Sequence, residues 1–315
     1  MNIVFLDKRT VGDVANLNLL YKLGDLTVYD TTAPEQVIER AGEKEVIITN
    51  KVRISKEILD ALPALKLICV AATGMNNIDT DYALRKGIAV KNVVAYSTDS
   101  VAQVTFAMLL SLLNRIEYYD SYVRSGAYAK SDLFTHHGPV FWELAGKRMG
   151  IIGLGNIGRR VARIAEGFGM EVVFYSTTGR NNNIHYKRFD LKTLLKTSDV
   201  VSIHAPLNEA TGNLITWDKL KLMRSCAIIL NTGRGGIINE SDLARALNQN
   251  IIAAAGIDVY TEEPIKRDNP LLKVLDRSKI IYTPHIAWAS REARERLIEK
   301  IAGNIESFIR ENPGR

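Results

Sequence analysis

The chain has 315 residues, 46% of them hydrophobic and 24% charged, which is ordinary for a water-soluble globular protein and more than one core usually holds, so two domains are expected. The net charge is +6, but cations alternate with acids, as in Arg291-Glu292-Ala293-Arg294-Glu295-Arg296. That pattern excludes a nucleic-acid-binding stripe and leaves a mild field suited to small anions. Cys69 and Cys226, the only cysteines, both lie beside apolar runs and read as small buried fillers of strands. No disulfide, zinc site or thiol nucleophile is therefore expected, and the compartment is reducing, that is, cytoplasmic.

The N-terminus reads as a first strand, because no basic region and long apolar stretch precede a cleavage site. The longest apolar run, 102–113, is interrupted by Gln103, Thr105 and Ser111 and is too short to span a bilayer, so no membrane partner is expected. Short buried strands are predicted at 3–6, 26–29, 46–49, 67–71 and 89–92, with helices at 34–41, 55–61 and 80–86 between them. Ser55 is a plausible N-cap and Gly87 a helix stop. One long helical pattern then runs from Ser100 to about Tyr122 and suits a crossover into the second domain. His136 and His137, beside Trp142, fit a surface or dimer contact. A second βα series follows, with strands at 149–152, 172–175, 200–203, 227–231, 253–258 and 280–283. A last amphipathic helix, 291–309, can return to the first domain. The expected fold is α/β, two doubly wound parallel-sheet domains. Residues 1–99 with 286–315 form a smaller, flavodoxin-like substrate domain, and 100–285 a nucleotide domain.

The strand at 149–152 enters Gly153-Leu154-Gly155-Asn156-Ile157-Gly158 and then a helix, expected over 159–168. Gly153 permits the tight turn, Gly155 lets backbone N–H groups approach a pyrophosphate, and Gly158 lets helix and strand pack closely, while the helix N-terminus adds positive potential. With a second strand following at the proper distance, this is a Rossmann dinucleotide site with Asn156 and Ile157 at the phosphates. An acid at the end of that second strand would bind the ribose hydroxyls and repel a 2′-phosphate. The chain instead has Tyr175-Ser176-Thr177-Thr178-Gly179-Arg180. Ser176, Thr177 and Arg180 can serve a 2′-phosphate, which favours NADPH somewhat within NAD(P) use.

Polar groups gather at further strand ends, as the crevice of such a sheet requires. Ser202-Ile203-His204-Ala205-Pro206 places His204, Ala205 and Pro206 along the cofactor cleft. Asn231-Thr232-Gly233-Arg234-Gly235 places Thr232, Gly233 and Arg234 likewise. Asp258 ends the next strand, Glu262-Glu263-Pro264 follows it, and Thr283-Pro284-His285 ends the last. In order and spacing these segments resemble the D-2-hydroxyacid dehydrogenase family over nearly the whole chain, in its glycerate dehydrogenase/hydroxypyruvate reductase flavour. That flavour is taken from Ala71-Ala72-Thr73-Gly74-Met75-Asn76-Asn77-Ile78-Asp79, from 96–103 and from His285-Ile286-Ala287-Trp288. Met75 stands where a smaller residue is usual, and Ser176 where Asp is commoner.

The resemblance implies that Arg234, Glu263 and His285 are catalytic. Arg234 would clamp the substrate carboxylate with its planar fork. His285 would give a proton to the ketone oxygen, and Glu263 would fix its tautomer and favour the imidazolium. Asp258 would hold the nicotinamide carboxamide, and backbone N–H groups around Asn76 and Asn77 the other side of the carboxylate, in a cleft that closes over both ligands. The implied activity is reduction of a small 2-ketoacid, hydroxypyruvate or glyoxylate first, by a homodimer joined through its cofactor domains and without a metal. A nicotinamide-sensing protein like the related corepressors, a formate dehydrogenase and 3-phosphoglycerate dehydrogenase are the rival readings.

Overall fold

Short runs of aliphatic and β-branched residues form every strand but one, in two separate sheets. The computed structural model describes residues 1–181 and 183–312; the last three residues of the expected 286–315 segment lie outside them. Two compact units divide the chain, Met1–Ser97 with Trp288–Arg315, and Thr98–Ala287.

The first unit holds β1 (Asn2–Phe5), β2 (Asp25–Val28), β3 (Val46–Thr49), β4 (Leu67–Val70) and β5 (Ala89–Lys91), in the order β2-β1-β3-β4-β5. Every pair is parallel, and β3 and β4 are buried at all positions, as strands covered on both faces must be. One face is covered by the last helix, Arg291–Glu311, whose start is capped by the Ser290 hydroxyl accepting from Ala293 N–H at 3.2 Å. Its apolar stripe, Leu297, Ile298, Ile301, Ile305 and Phe308, packs with Ile3, Phe5, Ile48 and Leu67. Val4, Ile47, Ile68 and Val70 face the opposite core. Ser55 stands at the N-cap of Lys56–Asp60 but makes no side-chain cap bond.

The second unit carries β6 (Arg148–Ile152), β7 (Glu171–Tyr175), β8 (Lys187–Arg188), β9 (Val200–Ile203), β10 (Ile228–Asn231), β11 (Ala254–Ile257) and β12 (Ile280–Tyr282). Their order is β12-β11-β10-β9-β6-β7-β8, parallel throughout. The strand order reverses between β6 and β9, and ligands of such sheets bind at that switch point, outside the carboxyl ends of the strands.

Several expectations need correction. The helical pattern from Ser100 is two helices, Thr98–Asn114 and Ile116–Arg124, broken at Arg115, whose φ is +52°. The Arg115 guanidinium donates to the Ser278 carbonyl at 2.5 Å, a tertiary contact that overrides helical propensity. The first helix, with Met108, Leu109, Leu112 and Leu113 inward, belongs to the core; the second has no buried residue. The helix after the glycine-rich turn starts at Asn156, not at Arg159. Cys226 is exposed in the turn before β10, while Cys69 is buried in β4. β8, both of whose residues are charged, was not expected. Among the described residues no helix is long and apolar enough to cross a membrane.

Candidate active site

The carboxyl ends of β6, β9, β10, β11 and β12 deliver most of the polar groups singled out above. At the end of β6, Gly153 has φ +93°, and a Cβ there would sit 2.9 Å from the His204 carbonyl and the Ala205 nitrogen at the end of β9. A Cβ on Gly158 would meet the Gly153 carbonyl at 2.3 Å. These two glycines are required by close backbone approach. Gly155 differs, since its Cβ would meet nothing within 4 Å. The open space lies over the first turn of the helix Asn156–Gly167, whose leading N–H groups have no intrahelical acceptor. A cradle with one side left clear beside free donors fits a dinucleotide pyrophosphate.

After β7 the chain turns at once. Gly179 N–H donates to the Ser176 carbonyl at 3.3 Å, and Gly179 has φ +70°. Ser176 is buried, with its hydroxyl accepting from Asn181 N–H at 3.4 Å, whereas Thr177 is half-buried and Arg180 exposed. Asn181 ties this loop to the cradle by donating its side-chain amide to the Leu154 carbonyl at 2.8 Å. Arg188 of β8 donates to the Gly179 carbonyl at 2.9 Å. Neither Asn181 nor Arg188 was foreseen. The run 181–183 is a turn signal only in its side-chain type, and a two-residue charged strand has no hydrophobic periodicity to announce it.

His204 is half-buried, and desolvation pushes its pKa down to about 3, so the ring is neutral. Its Nε2 lies 2.8 Å from the Ser202 hydroxyl and its Nδ1 3.5 Å from Thr232 Oγ1, which in turn lies 3.0 Å from Thr105 Oγ1. Ala205 is buried and Pro206 exposed beside it. After β10, the Asn231 side chain spans the turn: its amide donates to the Arg234 carbonyl at 2.9 Å and its oxygen accepts from Gly233 N–H at 3.1 Å. Arg234 is half-buried and donates from Nη1 to the Gly233 carbonyl at 2.8 Å. A Cβ on Gly235 would lie 1.8 Å from the Tyr260 carbonyl oxygen, so the loops carrying Arg234 and Glu263 touch backbone to backbone.

His285 has φ +54°, sparsely populated for a non-glycine residue and held here by its surroundings. His285 N–H donates to the Asp258 carbonyl at 2.8 Å. The buried Asp258 carboxylate accepts from Thr283 Oγ1 at 2.6 Å, Ile286 N–H at 2.8 Å and Ala287 N–H at 3.1 Å. Burial pushes the Asp258 pKa up, against these bonds. On the side-chain side, His285 Nδ1 lies 2.7 Å from Glu263 Oε2, while Glu263 Oε1 accepts from Tyr260 N–H at 3.0 Å. Both side chains keep some access to water, 25% for His285 and 31% for Glu263. The pairing at Nδ1 leaves Nε2 as the ring position for proton exchange.

Asn76 and Asn77 belong to the first unit. The Asn77 side chain donates to the Val52 carbonyl at 2.9 Å, and Ile54 N–H donates to the Asn77 carbonyl at 2.8 Å, which knits the β3 and β4 exit loops together. The buried Asp7 carboxylate anchors the same region by accepting from Asn50 N–H at 2.9 Å and Lys51 N–H at 2.7 Å. Among the described residues no group of three or more His, Cys, Asp or Glu side chains could hold a metal ion.

Comparison with known proteins meets this geometry. Residues 106–287 match the family model described as D-isomer specific 2-hydroxyacid dehydrogenase, NAD binding domain. The chain is 38% identical over 301 residues to a hydroxypyruvate reductase of Blautia hydrogenotrophica, covering 93% of this chain and 92% of the relative. It is 36% identical over 313 residues to a glycerate dehydrogenase of Methylorubrum extorquens, covering 99% and 97%. Among solved structures, an acyclic imino acid reductase in complex with NADPH and D-Arg superposes with a TM-score of 0.89 at 32% identity, covering 100% of this chain and 99% of that one.

Proposed function

We propose that this chain, which belongs to the D-isomer-specific 2-hydroxyacid dehydrogenase family, reduces small 2-ketoacids of the hydroxypyruvate and glyoxylate kind to D-2-hydroxyacids, with Arg234, Glu263 and His285 as its catalytic set. The 2.7 Å pairing of His285 with Glu263, on the sheet that also carries the nucleotide cradle, supports this reading most directly. When bound, the nicotinamide supplies hydride to C2 of the ketoacid. His285 gives the ketone oxygen its proton from Nε2, while Glu263 holds Nδ1 and stabilises the positive ring. Arg234 grips the carboxylate with the N–H groups not donated to Gly233. Asp258 acts through the turn that fixes His285. Of the roughly four acceptor positions of a carboxylate, the turn uses three, leaving one for the carboxamide. In the substrate-side unit, the N–H groups of Asn76 and Asn77 make no hydrogen bond among the described residues, which suits a carboxylate.

NADPH is the favoured cofactor, because residues 172–189 contain no acid to repel a 2′-phosphate. The acting form is a cytoplasmic homodimer joined through the nucleotide unit. In support, Phe134, Val140, Phe141 and Ile116 of that unit stand exposed, as does the free thiol of Cys226.

The test is a panel of hydroxypyruvate, glyoxylate, pyruvate and 3-phosphohydroxypyruvate, each run with NADH and NADPH in the parent and in His285→Ala. Turnover of the first two in the parent, with kcat lower by roughly 10²–10⁴ in the variant, is expected from loss of a general acid. Equal turnover in the variant would sink the assignment. The imino acid reductase likeness motivates one more arm with an added amine. An imine arrives already protonated and has less need of His285, so stimulation by amine with little loss in the variant would replace a ketone substrate by an imine.

A further inference from the structure

We propose that Arg188, on the edge strand β8, is a cofactor-specificity residue whose guanidinium binds the 2′-phosphate of an adenine dinucleotide together with Arg180. The inference rests on the NADPH reading above and adds the side chain that the turn 176–180 alone does not provide.

β8 exists only as the pair Lys187–Arg188, aligned with β7 so that Val173 faces Lys187 and Phe174 faces Arg188. This register sets Arg188 beside the end of the strand after which a dinucleotide's adenosine ribose is read. Its Nη1 already reaches the loop, donating to the Gly179 carbonyl at 2.9 Å, and its Nη2 lies 3.6 Å from where a Gly179 Cβ would be. A guanidinium has five N–H donors, and this is the only hydrogen bond from the Arg188 side chain among the described residues.

The local charge points the same way. Residues 172–189 include Arg180, Lys187 and Arg188 and no acid. The flanking acids are engaged elsewhere: Glu171 pairs with Arg148 at 2.8 Å, and Asp190 caps the helix Leu191–Thr197 by accepting from Thr193 N–H at 2.9 Å. Arg180 within the turn and Arg188 bonded to it put two cations on one loop that has no acid, which suits a dianionic phosphate. Ser176, by contrast, is buried and already bonded to Asn181, so it contributes mainly by not being an acid.

Binding of 2′,5′-ADP and of 5′-AMP, which lacks only the 2′-phosphate, to the whole, nucleotide-free protein, measured by calorimetry, separates a phosphate contact from a loop anchor. The parent is expected to bind 2′,5′-ADP more tightly. Arg188→Ala should weaken 2′,5′-ADP roughly tenfold to hundredfold, the range for a charged hydrogen bond, and shift 5′-AMP less than about twofold. Arg188→Gln keeps an amide donor for the Gly179 carbonyl while removing the charge, so it should behave like Arg188→Ala. If both variants keep the parent's ratio of affinities while Arg180→Ala lowers it, this inference is overturned and the NADPH reading stands. If both nucleotides weaken together, Arg188 is only a loop anchor and the inference likewise fails. A parent that binds both equally would overturn the NADPH reading and this inference alike.

Discussion

At the scale of single residues, what marks this site is how it holds its two histidines. His285 is exposed enough to exchange protons, and its backbone is forced into the left-handed region by a turn that Asp258 closes with three bonds. His204 is desolvated, held near pKa 3 and therefore neutral, so it can orient Ser202 and Thr232 without titrating in the working range. Its folded pKa lies below the unfolded value of about 6.5. As the pH falls below that value, the unfolded chain gains a proton that the folded chain refuses, and stability declines until about pH 3. The decline is at most about 1.4 kcal/mol per pH unit. His204→Gln removes this cost while keeping an amide for Ser202 and Thr232. Urea unfolding at about pH 7.5 and pH 5 should then show the parent losing up to about 2 kcal/mol more than the variant. An equal loss in both proteins would mean that the imidazole titrates freely in the native state.

At the scale of elements, a glycine sets the distance between the loops of Arg234 and Glu263. Gly235 and Tyr260 meet backbone to backbone, so a methyl at Gly235 cannot be accommodated by a side chain swinging aside. Gly235→Ala should separate the Arg234 and Glu263 loops, lowering stability by about 3 kcal/mol or more and lowering kcat with it. Gly155→Ala should do the opposite, because its φ of −83° suits alanine and its Cβ would point into open space. Melting temperature should hold within about 2 °C, while dinucleotide affinity falls because the methyl enters the cradle. If Gly155→Ala binds nucleotide like the parent, the cradle has been misplaced. The close approaches at Gly153 and Gly158 were legible in the sequence because the pattern follows an apolar strand and opens a helix. So were the strand-end positions of Arg234, Asp258 and His285, since each follows a buried run. What escaped depended on contacts distant in sequence. Arg115 breaks the long helix through Ser278 with no glycine or proline to signal it, and β8 is too short and too charged to show alternation. Cys226 sits one turn short of its strand, so an apolar neighbourhood in sequence became an exposed position in space.

At the scale of the whole molecule, the segment between the broken helix and β6 carries apolar surface that this chain leaves bare. The helix Ile116–Arg124 buries none of its residues, and Ile116 and Val123 are exposed on it. Beyond it, Phe134 is 91% and Val140 93% exposed, and Leu133 and Phe141 are also open to solvent. Yet the segment is ordered by its own aromatic contacts: His136 stacks on Tyr122 with ring centroids 3.7 Å apart, and Tyr118 Oη lies 2.8 Å from His136 Nε2. A pre-shaped apolar surface costs little entropy to bury, which suits permanent association with a second copy. Sedimentation at micromolar concentration should therefore give a dimer of about 70 kDa, twice the 35.1 kDa chain. Phe134→Asp combined with Val140→Asp places two carboxylates where apolar contacts would form, and a buried unpaired charge costs several kcal/mol. The double variant should sediment as a monomer with an unchanged far-ultraviolet spectrum, since neither side chain supports the fold of its own chain. A parent that sediments as a monomer, or a double variant that remains a dimer, would exclude this surface as the interface.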